Sequence, residues 1–91
     1  MTCDIDIGQL VVINCSCNVG HDVKISDYAT LLGNNSLNGN VQIGEFAVIG
    51  SRSTIHPGKT VGARSTVGIG SVVLRSVRDD TTVFGVPAKA L

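Results

Sequence analysis

The stretch VQIGEFAVIGSRSTIHPGKTVG, residues 41–62, carries an aliphatic side chain at every sixth position: Ile43, Ile49, Ile55 and Val61. Stepping outward by six gives Ile7, Ile13, Val19, Ile25, Leu31 and Leu37 on one side and Val67 and Val73 on the other, with no insertion between Ile7 and Arg78. Two residues before each of these positions, from Ile13 onward, lies a second column that continues past Val73 to Val77: Val11, Cys17, Val23, Ala29, Asn35, Val41, Ala47, Ser53, Lys59, Ser65, Ser71 and Val77, nearly all small or β-branched. A six-residue period matches neither the 3.6 of a helix nor plain alternation, but suits very short strands joined by sharp corners and stacked as coils of a prism. Each coil then buries its inward residues only against the coils above and below, so several are needed for stability. The glycines that follow the aliphatic column (Gly8, Gly20, Gly44, Gly50, Gly62 and Gly68) read as corner glycines, and the cluster Asn34, Asn35, Asn38 and Asn40 reads as corner residues that tolerate left-handed backbone.

Composition agrees with an all-β domain. The 91 residues leave room for one small domain, and 13 Val, 8 Ile and 6 Leu against three aromatic residues favour strands over a helical bundle. No aliphatic run approaches the ~20 residues that span a bilayer, and Met1 opens no signal-peptide pattern, so the expectation is a cytoplasmic protein with no membrane contact. Three cysteines, at 3, 15 and 17, cannot all pair with one another; Cys15 and Cys17 lack the second pair of a metal site and read as structural. Net charge is zero, yet residues 1–50 carry five acids against one base and residues 51–91 six bases against two acids. That asymmetry points to an anionic ligand held by the C-terminal half. Singly spread bases and few aromatics argue against nucleic acid.

Three segments carry a resemblance: Asn18-Val-Gly-His-Asp-Val-Lys-Ile-Ser-Asp-Tyr-Ala, Asn38-Gly-Asn-Val-Gln-Ile-Gly and Val83-Phe-Gly-Val-Pro-Ala-Lys. With the hexads, they make the chain similar to the hexapeptide-repeat acetyltransferases, and within these to the C-terminal catalytic domain of the sialic-acid O-acetyltransferase family, which includes N-acetyltransferases of nucleotide-linked amino sugars. The resemblance implies a single-stranded left-handed parallel β-helix, twelve hexads making about four coils over residues 1–78, and an extended tail over 79–91 packing near the coenzyme site. It also implies a homotrimer with active sites between subunits, acetyl-CoA as co-substrate, a small-molecule sugar acceptor and no metal. The sugar-nucleotide domain usual at the N-terminal side in that family is missing from this sequence, so a separate sugar-binding domain is an expected partner.

Acetyl transfer from a thioester needs a group that removes the acceptor's proton near neutral pH, a role suited to histidine. His21, two residues after inward-facing Val19, falls at a corner from which its side chain projects, and Asp22 beside it can hold the ring's tautomer. The pair matches the family's catalytic His-acid pair. His56, before Pro57-Gly58, occupies a turn and does not match it. Carried across position by position, the resemblance places coenzyme contacts on Thr30, where the family can have a second histidine, and on Ser51 and Ile69 beside Gly50 and Gly68. Lys89 in the tail becomes a partner for a coenzyme phosphate. The trimeric zinc carbonic anhydrases share such repeats but need three histidine ligands per metal, and this sequence has two histidines. The non-enzymatic alternative is a trimeric β-helix that serves only as an assembly module.

Overall fold

The computed structural model describes residues 6–14 and 16–90, and among them there are strands and turns but no helix. The short strands repeat every six residues and stack in three parallel sheets, the faces of a prism. Face I contains β1 (Asp6–Ile7), β4 (Lys24–Ile25), β7 (Gln42–Ile43) and β10 (Thr60–Val61). Face II contains β2 (Val12–Ile13), β5 (Thr30–Leu31), β8 (Val48–Ile49) and β11 (Thr66–Val67). Face III contains β3 (Asn18–Val19), β6 (Ser36–Leu37), β9 (Thr54–Ile55) and β12 (Val72–Val73). Residues pair eighteen apart, as in Lys24 with Gln42 and Gln42 with Thr60, so three hexads close one coil and the twelve make about four. The solenoid is consistent with the left-handed parallel β-helix that the resemblance implies.

The second residue of each strand points inward. Ile25, Leu31, Leu37, Ile43, Ile49, Ile55, Val61, Val67 and Val73 are buried almost completely. Fully burying one such side chain stabilises by ~1.5–3 kcal/mol, and the stack forms one continuous apolar column. From Val23 onward the second column is buried as well except at Lys59, and its buried polar members are bonded: Ser53 Oγ donates to Gly68 O at 2.8 Å, and Asn35 Nδ2 donates to Gly50 O at 2.6 Å while its Oδ1 accepts from Gly33 N at 3.0 Å. Among the described residues the strands of the first coil pair only with the coil that follows, and there Ile7 is exposed and Ile13 half-buried.

Two expectations about corners are corrected. The left-handed residue of each corner lies three positions after the inward aliphatic, where Asp22, Asn34, Asn40, Phe46, Arg52 and Arg64 all have φ between 52° and 63°. The glycine column lies two residues earlier, and none of Gly8, Gly20, Gly44, Gly50, Gly62 or Gly68 has positive φ. Those glycines exist for close approach: a Cβ on Gly50 would lie 2.7 Å from Ile69 N and from Val67 O in the coil above. The asparagine cluster divides in the same way. Asn34 and Asn40 take left-handed backbone, whereas Asn35 is the buried bridge described above and Asn38 donates to Ile55 O at 2.8 Å.

Beyond the twelfth hexad the stack continues on face II. β13 (Thr82–Phe84) pairs parallel with β11, and β14 (Lys89–Ala90) returns antiparallel against β13. Arg64 anchors this end, donating from Nε and Nη2 to the two carboxylate oxygens of Asp80 at 2.7 and 3.0 Å. That hydrogen bond, more than the accompanying charge attraction, lowers the Asp80 pKa below its ordinary value and raises that of Arg64. Among the described residues Cys17 is a free thiol, half-buried against Asn35 Oδ1; Cys3 and Cys15 lie outside them. No helix among those residues is long and apolar enough to cross a membrane.

Candidate active site

His21 and Asp22 form the corner between face III and face I that follows β3. Asp22 takes the left-handed conformation at φ 56°, which a short carboxylate side chain tolerates better than most. Its Oδ2 lies 3.1 Å from His21 Nδ1. With Nδ1–H donated to the carboxylate, the ring's lone pair rests on Nε2. The imidazole lies across the next coil at Gly39, where a Cβ would be 2.7 Å from Nε2 and 2.9 Å from Cε1. Gly39 thus admits the ring, and Asn40 N fixes the backbone by donating to the His21 carbonyl at 3.0 Å. Both side chains are more than half exposed, at 65% and 53%, so a single chain presents the pair to water.

The other expected residues fall elsewhere on the prism. Thr30 is the outward residue of β5 on face II, paired with Val12 and Val48. Ser51 and Ile69 occupy successive coils of the II/III edge, where Ile69 is 66% exposed and the Ser51 carbonyl is taken by Gly70 N at 2.8 Å. Gly50 is buried, donates to Val67 O and accepts from Asn35, so it supports the edge backbone. Gly68 donates to Val83 O, and the Phe84 ring covers its Cα. In one chain, therefore, His21–Asp22 and the Ser51–Ile69 edge stand on different corners of the triangle.

Lys89 lines a cavity of about 480 Å³ at the C-terminal end, together with Leu74, Arg75, Pro87, Ala88 and Ala90. Arg75 was not singled out by the hexad reading. Stepping by eighteen from His21 finds it, through Gly39 and Pro57, at the top of the III/I edge. His56 lies on that edge too, one position before Pro57. Among the described residues no group of three or more His, Cys, Asp or Glu side chains converges as a metal site would require.

A three-faced parallel β-solenoid of hexads makes the chain similar to the hexapeptide-repeat acyltransferases. Its fold superposes on a histidine-to-asparagine variant of perosamine N-acetyltransferase from Caulobacter crescentus in complex with CoA and GDP-perosamine, with TM-score 0.97 and 37% identity over 100% of this chain and 43% of the other. The acetyltransferase domain of PglB from Neisseria gonorrhoeae FA1090, in complex with acetyl coenzyme A, matches with TM-score 0.85 and 28% identity over 99% of this chain and 53% of that one. By sequence, the acyl-[acyl-carrier-protein]–UDP-N-acetylglucosamine O-acyltransferase of Stutzerimonas stutzeri strain A1501 is 33% identical over 84 residues. Those residues are 92% of this chain and 33% of the relative, so the chain spans about a third of the length of the curated relatives it matches. No protein-family model matches the chain.

Proposed function

We propose that the chain is the catalytic β-helix of an acetyl-CoA-dependent acetyltransferase acting on a sugar hydroxyl or amine, with sialic acid or a nucleotide-linked amino sugar as the acceptor class. The observation that carries this reading is the His21 Nδ1 to Asp22 Oδ2 contact on a corner where Gly39 leaves room for the ring. Likeness to a perosamine N-acetyltransferase holding CoA and a GDP-sugar supports the substrate class. In the reaction, Nε2 of His21 takes the proton of the acceptor O–H or N–H as that atom attacks the thioester carbonyl. The C–S bond then breaks, the acetyl group stays on the acceptor, and the departing thiolate recovers a proton from the imidazolium. Asp22 holds the ring's orientation and stabilises its transient charge.

The coenzyme is a co-substrate, and it lies in a groove between prisms of a homotrimer with its pantetheine arm along Thr30, Ser51 and Ile69, supported by Gly50 and Gly68. Its phosphates meet Lys89 and Arg75 at the basic end. A cytoplasmic protein in polysaccharide biosynthesis, with a sugar-binding domain supplied beside this one, completes the reading. The test follows free thiol released from acetyl-CoA in the presence of a panel of nucleotide amino sugars and sialic acids. Acceptor-dependent release is expected, with coenzyme binding that weakens as salt rises. No coenzyme binding at millimolar concentration and no release would favour the assembly-module alternative.

A further inference from the structure

The fourth coil of the prism is followed by a partial fifth. Val77 bridges to Val61 on face I, Val83 pairs with Val67 on face II, and Ala88 N donates to Val72 O at 2.8 Å on face III. Faces I and II thus end on a valine, whereas face III ends on a methyl group that packs on the core only in part. That shortfall leaves a cavity of about 340 Å³ at the C-terminal end of the axial column, where Val73, Val77, Val83 and Ala88 form an apolar wall and Arg75 and Arg78 also line the space. The charges around it are unbalanced. Asp79 Oδ1 accepts from Ala63 N at 2.9 Å and Asp80 is held by Arg64, so both acids of this segment are turned to the I/II corner. Among the described residues neither Arg75 nor Arg78 forms an ion pair, the pairs there being His21–Asp22 and Arg64–Asp80. The two hydroxyls on the cavity are engaged: Ser76 Oγ accepts from Thr60 N at 3.1 Å, and Thr81 Oγ1 donates to Asp79 O at 3.1 Å.

We propose that this axial cavity binds a medium-chain carboxylate, and that its occupation weakens coenzyme binding through Arg75. An apolar wall with two cationic groups and no anionic one suits a ligand with an anionic head and a hydrocarbon body. A guanidinium takes a carboxylate through two parallel hydrogen bonds, and the alkyl stems of the two arginines extend the apolar wall. At ~30 Å³ for each water-sized group, the cavity accommodates about eleven heavy atoms, which matches a carboxylic acid of about eight or nine carbons. The regulatory half of the proposal rests on the coenzyme reading above. The cavity that Lys89 lines shares Arg75, Ala88 and Ala90 with the axial one, so the two lie back to back. A guanidinium that turns to a carboxylate in the axial cavity is withdrawn from a coenzyme phosphate on the other side of the shared wall. By linkage the coenzyme weakens the carboxylate by the same factor. No contact with His21 is needed, since Arg75 lies three coils from it along the III/I edge.

The test uses the whole chain, with octanoate as the probe. Calorimetry without coenzyme is expected to show one octanoate bound per chain, and octanol and acetate, which each lack one half of the ligand, should bind at least about tenfold more weakly. Arg78→Gln should weaken octanoate about tenfold and leave coenzyme A binding unchanged, because Arg78 lines the axial cavity and not the cavity of Lys89. The Arg78 carbonyl, which accepts from Ser65 Oγ, survives that substitution, so the coils should persist by circular dichroism. Arg52→Gln, on the II/III edge, should change neither ligand's binding. Saturating octanoate should lower the affinity for coenzyme A about fivefold or more, and Arg75→Gln should abolish that effect. No binding at millimolar octanoate, equal binding of octanoate by the parent and Arg78→Gln, or octanoate and coenzyme A that bind without affecting one another would overturn the proposal. Octanoate held through Arg78 by a protein that takes no coenzyme A would refute the coenzyme reading and the regulation with it, leaving the axial site standing. Coenzyme A bound by a protein that ignores octanoate would do the reverse.

Discussion

Two edges of the same prism solve the same backbone problem with opposite residues. At the left-handed corner the III/I edge carries Asp22, Asn40 and Gly58, while the I/II edge carries Leu10, Tyr28 and Phe46. The first edge is relaxed and polar, and it presents an imidazole against a side-chain-free glycine. The second accepts strain to display an apolar stripe. Because the repeat imposes one geometry on both, the contrast lies in residue type alone: one edge carries the His21–Asp22 pair of the proposed site and the other a row of exposed bulky side chains.

The sharpest way to break that comparison is at His21. A general base contributes ~10²–10⁴-fold, so His21→Ala should lower turnover by about that factor with coenzyme binding nearly unchanged, and Asp22→Asn should cost less. His56→Ala, on the same edge but without a carboxylate partner, should leave turnover close to that of the parent. Stopped thiol-release assays at saturating acetyl-CoA check all three. Equal losses from His21→Ala and His56→Ala would dissolve the assignment of the base.

Next in size is a change that affects all edges alike. Gly50→Ala forces a Cβ against backbone of the coil above, and overpacking without room to relax should destabilise by ~1–3 kcal/mol or more in thermal melts. Gly58→Ala meets open space and suffers only its φ of 76°, so its loss should be smaller, about 1 kcal/mol. A reversed order would contradict the division of glycines into close-approach and left-handed kinds. On the I/II edge the sign inverts: measured below the association range, Tyr28→Asn should leave the single coil no less stable than the parent, because strain relief offsets the lost stacking of the ring on Phe46.

The smallest effect belongs to the far end of the stripe edge. Asp80 has its pKa lowered by the hydrogen bonds from Arg64, so the pair's contribution is present above the ordinary carboxylate range and is lost as pH falls through the lowered value. Both groups are solvent-exposed, so the change should be slight and confined to acid. A melt series between neutral and strongly acid pH on Asp80→Asn and the parent should converge at the acid end.

Much of this was legible in the sequence. The sixfold column from Ile7 to Val73 gave the coils, and the step of eighteen that pairs Lys24 with Gln42 follows from the three hexads per coil that the resemblance implies. His21–Asp22 was legible as a corner pair because its distance from Val19 set its direction. The glycine column misled because a recurring glycine suggests φ freedom, whereas it is the stacking of the coils that fills the space of its Cβ. Arg75 stayed hidden in a charge count because a hexad register groups all faces together, whereas ligand edges recur every third hexad. The stripe was missed for the same reason: Leu10, Tyr28 and Phe46 are eighteen apart.

The central claim is that one site is shared between two copies, and mixing two disabled chains tests it most directly. His21→Ala removes the base from the III/I edge, and Ser51→Trp blocks the II/III edge. Each variant alone should be nearly inactive. Dissociated, mixed in equal amounts and reassembled, they should recover roughly a quarter of the parent's acetyl transfer, the fraction of grooves in a random ring that pair an intact His21 with an intact Ser51. A mixture no more active than its components, with mixed trimers present by native mass spectrometry, would contradict the account.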